Sequence, residues 1–253
     1  MPVPQFDCKG LEGLIARNIA AGRLDFTTDL NAAVDGAGAV FIAVGTPARR
    51  GDGHADLTYV FAAAREIAAA LTGPTVVVTK STVPVGTNRK IAEILREVRP
   101  DLPAEVASNP EFLRESTAIK DFYDPPFTVI GAADEKVAGV VQGLYSMLNA
   151  PLRVISIREA EMIKYACNAF HALKVSFANE IGSICKAGGI DSHKVMEIFC
   201  LDTKLNLSPY YLKPGYAFGG SCLPKDLRAL TYLGRHFDLT LPILESKIGR
   251  AHV

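Results

Sequence analysis

The run Thr75-Val76-Val77-Val78-Thr79-Lys80-Ser81-Thr82-Val83-Pro84 opens with β-branched residues at every position, then breaks into small polar residues and a proline. A strand with one solvated face alternates apolar and polar residues. One that is apolar throughout is buried on both faces, as in a parallel sheet covered by helices. Candidate strands fall at 23–28, 39–44, 75–79, 105–107, 127–130 and 152–155, with helical patterns between them, notably 57–71 and 88–98. This alternation predicts an α/β fold with a Rossmann-like, mostly parallel sheet. Ligands of such sheets gather at the carboxyl ends of the strands. There the chain places Gly45-Thr46-Pro47, Ser81-Thr82-Val83-Pro84 and Asn109-Pro110-Glu111. Each alone is ordinary turn chemistry; three on one rim point to a binding site.

From about Arg158 the pattern turns helical. Residues 159–187 contain no proline and end at Gly188-Gly189, a C-terminal stop. Such a helix is roughly 40 Å long. Lys164, Asn168, His171, Val175 and Asn179 fall within about 80° of one another on it, with Ala166, Ala169, Leu173, Phe177 and Ile184 opposite. A solvated face carries Glu, Lys and Arg in excess, whereas Lys, Asn, His and Asn suit a polar cleft; a surface stripe with a satisfied histidine is the plainer alternative. Glu180 interrupts the apolar side. The expected division is therefore an α/β part at 1–157 and an all-helical part at 158–253.

Composition excludes several classes. With 27 basic and 27 acidic side chains in 253 residues there is no electrostatic case for nucleic acid or an anionic membrane. Five scattered cysteines and five scattered histidines give no metal-ligand spacing, and the cysteine usage fits a reduced, cytoplasmic protein. No signal peptide is visible, and no stretch approaches the roughly 18 apolar residues of a membrane span.

Chemistry concentrates in Tyr216-Ala217-Phe218-Gly219-Gly220-Ser221-Cys222-Leu223-Pro224-Lys225-Asp226. Two glycines let backbone approach a ligand, and a thiol follows with an ammonium and a carboxylate within four residues. The thiolate is the nucleophilic form of cysteine, and a neighbouring cation favours it. A turn with a small buried cysteine is the bland alternative. In Asn109-Pro110-Glu111-Phe112-Leu113-Arg114-Glu115-Ser116, Glu111 and Glu115 stand four apart. If helical they share a face and could divide acid and base roles, although such pairs are also common on charged surfaces. The G-x-G-x-x-G fingerprint of dinucleotide-binding folds is absent: Gly36-Ala37-Gly38 precedes a strand, and Gly10 and Gly13 have the wrong spacing.

The cysteine string and the glutamate string resemble the nucleotide-sugar 6-dehydrogenases, the UDP-glucose and GDP-mannose dehydrogenase family. The resemblance covers nearly the whole chain. Against the family pattern, the chain is expected to begin after the first strand, first helix and second strand, and to stop before the C-terminal nucleotide-binding domain. It implies NAD as cofactor and oxidation of a sugar C6 alcohol to a carboxylate through a thiohemiacetal and a thioester. Cys222 would be the nucleophile, and Lys164 and Asn168 would stabilise the oxyanion. Glu111 and Glu115 would assist thioester hydrolysis and substrate positioning, and Asp226 with Thr82 would orient the water. Thr46, Thr82 and Lys225 correspond to cofactor contacts. Glu115, Lys164, Asn168, His171, Asn179, Tyr210, Tyr211, Lys213, Tyr216 and Gly219 correspond to substrate contacts. The long helix would build a homodimer.

The stretch 204–215 is more similar to the GDP-mannose branch, with Asn206 where UDP-glucose enzymes usually place an arginine. Lys213 stands where an arginine is usual in the GDP-mannose enzymes, and it lacks the bidentate fork. Residues 11–67 are more similar to the UDP-glucose branch. GDP-mannose is the favoured substrate and UDP-glucose the next. Two other readings compete: a non-catalytic dimerisation or nucleotide-sugar-binding fragment, motivated by the absent fingerprint, and a cysteine hydrolase using His171 with Cys222.

Overall fold

A computed structural model describes residues 10–114, 117–187, 189–203, 220–236 and 245–246. The chain divides into two compact units. One comprises 1–46 and 57–164; the other comprises 47–56 and 165–253.

In the first unit, helices α1 (Leu11–Ala20) and α2 (Leu30–Val34) precede strand β1 (Ala39–Ile42). Then follow α3 (Thr58–Ala70), β2 (Val76–Thr79), α4 (Thr87–Val98), β3 (Glu105–Ser108), α5 (Ala118–Tyr123), β4 (Thr128–Gly131), α6 (Glu135–Leu144) and β5 (Leu152–Ile155). The strands form one sheet in the order β1-β2-β3-β4-β5. All pairs are parallel except β3–β4, which meet antiparallel at Ser108 and Gly131. The mostly parallel α/β sheet is thus as expected.

The uninterrupted apolar run of β2 has its cause in burial on both faces. Val77 packs with Val60, Ala64, Ile67, Ile91, Ile94 and Leu95, which α3 and α4 present at helical spacing. Val76 and Val78, pointing the other way, pack with Ala107, Ile130, Val137, Ala138 and Val141. The edge strand β1 reads differently: Ile42 is buried while Phe41 is 38% exposed.

The stretch 23–28 is a correction. It has a strand former at alternate positions but is irregular, and Phe26 is exposed. A strand needs a ladder partner, and among the described residues β1 pairs only with β2.

At the end of β4 the fold depends on a missing side chain. A Cβ on Gly131 would lie 2.5 Å from Ala160 Cβ and 2.8 Å from Ile157 Cα. The glycine lets the start of helix α7 (Ile157–Ala187) cross the sheet end in close contact.

The second unit contains the rest of α7, then α8 (Ser192–Phe199) and α9 (Cys222–His236). Asp191 caps α8 by accepting from the His193 and Lys194 amides. Alanines let the helices approach: Ala169 and Ala172 of α7 pack on Leu227 and Leu223 of α9, and Ala178 packs on Met196 of α8. The connection at 47–56 belongs to this unit: Ala48 and Ala55 form a bridge within it, and its His54 ring meets that of Tyr232 at 4.5 Å.

Candidate active site

The carboxyl ends of β1 and β2 are laced together by hydroxyls. Ser81 Oγ donates to the Val44 carbonyl at 2.6 Å, and Thr46 Oγ1 donates to the Thr82 carbonyl at 2.9 Å. This brings two of the expected cofactor residues, Thr46 and Thr82, onto neighbouring turns of one rim.

The nearby N-terminus of α4 is taken. Gly86, at φ +98°, gives its N–H to Glu161 Oε2 at 2.7 Å. Glu161 Oε1 accepts from the Asn88 amide at 2.8 Å and from Asn88 Nδ2 at 2.9 Å, and Asn88 Oδ1 accepts from Thr79 Oγ1 at 2.6 Å. This carboxylate is only 2% exposed. A helix N-terminus favours an anion, and here the protein supplies its own, so a pyrophosphate has no place on α4.

One turn along α7 from Glu161, Lys164 forms an ion pair with Glu111 at 2.9 Å and lies 5.4 Å from the Phe112 ring centroid. The expected pairing of Glu111 with Glu115 on a helical face is corrected in its premise. Residues 109–114 are not helical. Glu111 Oε2 accepts from the Leu113 amide at 2.6 Å, and the Arg114 amide is given to Asp121 at 2.9 Å instead of to the carbonyl four residues back. Glu115 lies outside the described residues.

Asp121 also accepts from Arg114 Nη2 at 2.5 Å and from Thr117 Oγ1 at 2.9 Å. The Arg114 hydrogen bonds hold its carboxyl at about 2, below the ordinary 3.8. A lowered folded-state value stabilises fully above the ordinary value and is lost as pH falls through about 2. In urea unfolding, the stability difference between wild type and Asp121→Asn is expected to narrow by about 1–2 kcal/mol from pH 5 to pH 2, allowing for the exposure of Arg114. A difference that stays constant over that range would contradict this.

On α7 the polar stripe is at least half-buried along its length. Lys164 and Asn168 are buried, and His171, Val175 and Asn179 are half-buried. On the opposite side Ala169 is buried against α9, Leu173 is half-buried and Ala166 is exposed, while the side chains of Phe177 and Ile184 lie outside those described.

In the second unit Cys222 is the first residue of α9 and is exposed, with Ser221 Oγ 3.8 Å from its sulfur. One turn on, the buried Asp226 carboxylate accepts from Asn168 Nδ2 and lies 3.4 Å from Lys225 Nζ. Asn168, Lys225 and Asp226 are thus brought together. Tyr210, Tyr211, Lys213, Tyr216 and Gly219, with Asn206, lie outside the described residues.

Glu161, Lys80 and Tyr145 were not among the sequence candidates. Glu161 could have been found, since it precedes Lys164 by three on the same helix. Lys80 carried a weaker signal, an ammonium placed directly after a buried strand. Tyr145 carried none. Lys80 Nζ donates to Asn109 Oδ1 and to Tyr145 Oη, each at 2.9 Å, and Tyr145 Oη donates to Asn109 Oδ1 at 2.5 Å.

Comparisons with known proteins give a consistent result. Residues 4–149 match the UDP-glucose/GDP-mannose dehydrogenase family, NAD binding domain, and residues 158–249 match the central domain of that family. The chain is 48% identical over 244 residues to GDP-mannose 6-dehydrogenase of Pseudomonas putida, covering 94% of this chain and 56% of the relative. It is also 48% identical over 252 residues to UDP-glucose 6-dehydrogenase of Rhizobium meliloti, covering 98% and 57%. A UDP-glucose dehydrogenase structure from Pyrobaculum islandicum superposes with a TM-score of 0.92 at 42% identity, covering 97% of this chain and 57% of that one. The chain therefore spans a little over half the length of these relatives.

Proposed function

Because the chain belongs to the UDP-glucose/GDP-mannose dehydrogenase family, we propose that it carries the central chemistry of a nucleotide-sugar 6-dehydrogenase, oxidising a C6 alcohol to a carboxylate. GDP-mannose is the favoured substrate, from the character of residues 204–215, and UDP-glucose the next. The observation that carries the reading is the Lys164–Glu111 ion pair, which joins residues far apart in sequence at the end of the sheet.

NAD+, when bound, supplies the hydride acceptor for both oxidation steps. Thr46, Thr82 and Lys225 are the proposed cofactor contacts. The chain's own residues then have distinct tasks. The Cys222 thiolate adds to the aldehyde carbon, forming a C–S bond while the carbonyl oxygen becomes an oxyanion. Lys164 and Asn168 donate to that oxygen; donors fixed in place stabilise developing charge without reorganising. After the second oxidation Cys222 carries the acyl group as a thioester. Water adds to the thioester carbon, the C–S bond breaks, and the thiol returns. Glu111 and Glu115 assist that hydrolysis, and Asp226 with Thr82 orients the water. His171, Asn179, Tyr210, Tyr211, Lys213, Tyr216 and Gly219 are proposed substrate contacts. We place the protein in the cytoplasm as a homodimer, with a cofactor part at 1–157 and a helical part at 158–253.

The test is stoichiometric. Incubated with NAD+ and GDP-mannose, or UDP-glucose, the protein is expected to release two NADH per sugar consumed. A single NADH per sugar, with free aldehyde accumulating, would rule out the thioester route. A second reading, sugar-nucleotide binding without turnover, is motivated by the lack of a G-x-G-x-x-G fingerprint in the sequence. Calorimetry separates the two: sugar nucleotide bound with no NAD+ uptake and no NADH formed would select the binding role.

A further inference from the structure

Successive side chains at the end of β2 point to opposite faces of the sheet. Thr79 reaches Asn88 and, through it, Glu161. Lys80 reaches the other way, into a recess lined by Asn109, Glu111, Phe112, Asp121 and Tyr145. We propose that Lys80 is a positioning residue for Glu111, acting with Tyr145 through Asn109 to hold the Glu111 carboxylate against Lys164. This deepens the proposed function, since it rests on Glu111 and Lys164 taking part in the reaction.

Three groups of Asn109 are committed. Its amide donates to the Thr79 carbonyl at 2.9 Å, its Nδ2 donates to the Val129 carbonyl at 2.8 Å, and its Oδ1 takes both Lys80 and Tyr145. Asn109 is thereby tied to β2, to β4 and to the residue after α6. Pro110 follows with its fixed φ, and then comes Glu111, whose two oxygens are taken by Lys164 Nζ and the Leu113 amide. The Glu111 turn has no helix or strand of its own to hold it. Its direction is set by the locked asparagine two residues before, and Lys80 is the charged member of that lock.

The charges support the same assignment. Among the described residues, the groups facing Lys80 are Glu111, Lys164, Tyr145 and Asp121. Burial lowers the Lys80 ammonium to about 8; the Glu111 carboxylate opposes this and the Lys164 ammonium adds to it. Burial raises the Tyr145 phenol, and Asp121 is ionised far below this range. Lys80 is thus expected to change charge near pH 8, and Glu111 is the carboxylate placed to register it.

The test needs no turnover. The side-chain carboxyl ¹³C signal of Glu111, assigned by its loss in Glu111→Gln, is followed from pH 6 to 10 in wild type, Lys80→Met and Lys80→Arg. Circular dichroism verifies the fold of each. The wild type is expected to show an inflection near pH 8. Lys80→Met is expected to lose the inflection and shift the signal throughout. Lys80→Arg keeps charge and donors, so it is expected to retain the wild-type low-pH signal across the range without inflection. If Lys80→Met does not fold, Lys80→Arg decides alone. An inflection persisting in Lys80→Arg, or a wild-type signal flat from pH 6 to 10, would overturn the proposal. Wild-type protein that oxidised neither sugar would instead sink the proposed function and leave this result standing.

Discussion

Cys222→Ser is expected to lower the rate of complete oxidation roughly a thousand-fold or more, a loss of about 4 kcal/mol in transition-state stabilisation. The cause is chemical. A serine hydroxyl at neutral pH is a weak nucleophile unless a base is poised to take its proton, and the sulfur's recorded neighbour is another hydroxyl, that of Ser221. Cys222 is exposed at the start of α9, so the change removes little packing, and stability is expected to stay within about 0.5 kcal/mol. The rate is read as NADH formed under saturating sugar and NAD+, with urea unfolding run alongside. A variant that keeps a tenth or more of wild-type turnover would remove the sulfur from the chemistry.

The largest stability effect is expected at Glu161. Glu161→Ala strips the partner from the amides of Gly86 and Asn88 and from Asn88 Nδ2, in a place almost closed to water. Buried donors left unpaired and a helix N-terminus left without its anion together predict a loss of about 3–5 kcal/mol. Glu161→Gln keeps the shape and one acceptor oxygen but turns an amide towards donors, and is expected to cost about 1–3 kcal/mol. Both are read from urea midpoints at constant slope. A Glu161→Ala protein within 1 kcal/mol of wild type would show that α4 does not rely on this carboxylate.

The contrast between β2 and residues 23–28 shows where sequence is informative. In β2 every side chain is buried, so the composition itself records both covered faces. Residues 23–28 carry a similar local preference, but pairing depends on a neighbour that local preference cannot specify. The α7 stripe was legible for the same reason as β2: a long helix repeats its environment every turn, and Lys164 and Asn168 fall on the buried side. Glu111 was found by its motif, whereas its non-helical setting was not legible, because the Arg114 amide is captured by Asp121, seven residues away. The Lys80 network was out of reach, since its tyrosine stands 65 residues further on. Nor did any local signal show that 47–56, the link between β1 and α3, belongs with the helical unit.

The most direct measurement follows the acyl group onto the sulfur. Wild-type protein is mixed with NAD+ and the C6 aldehyde of GDP-mannose or UDP-glucose, quenched in acid within the first turnover, digested and mapped by mass spectrometry. The expected result is a sugar-nucleotide acyl adduct on the peptide containing Cys222, labile to hydroxylamine and absent without NAD+. Carboxylate product formed at full rate with the Cys222 peptide unmodified at every quench time would contradict a thioester at this residue.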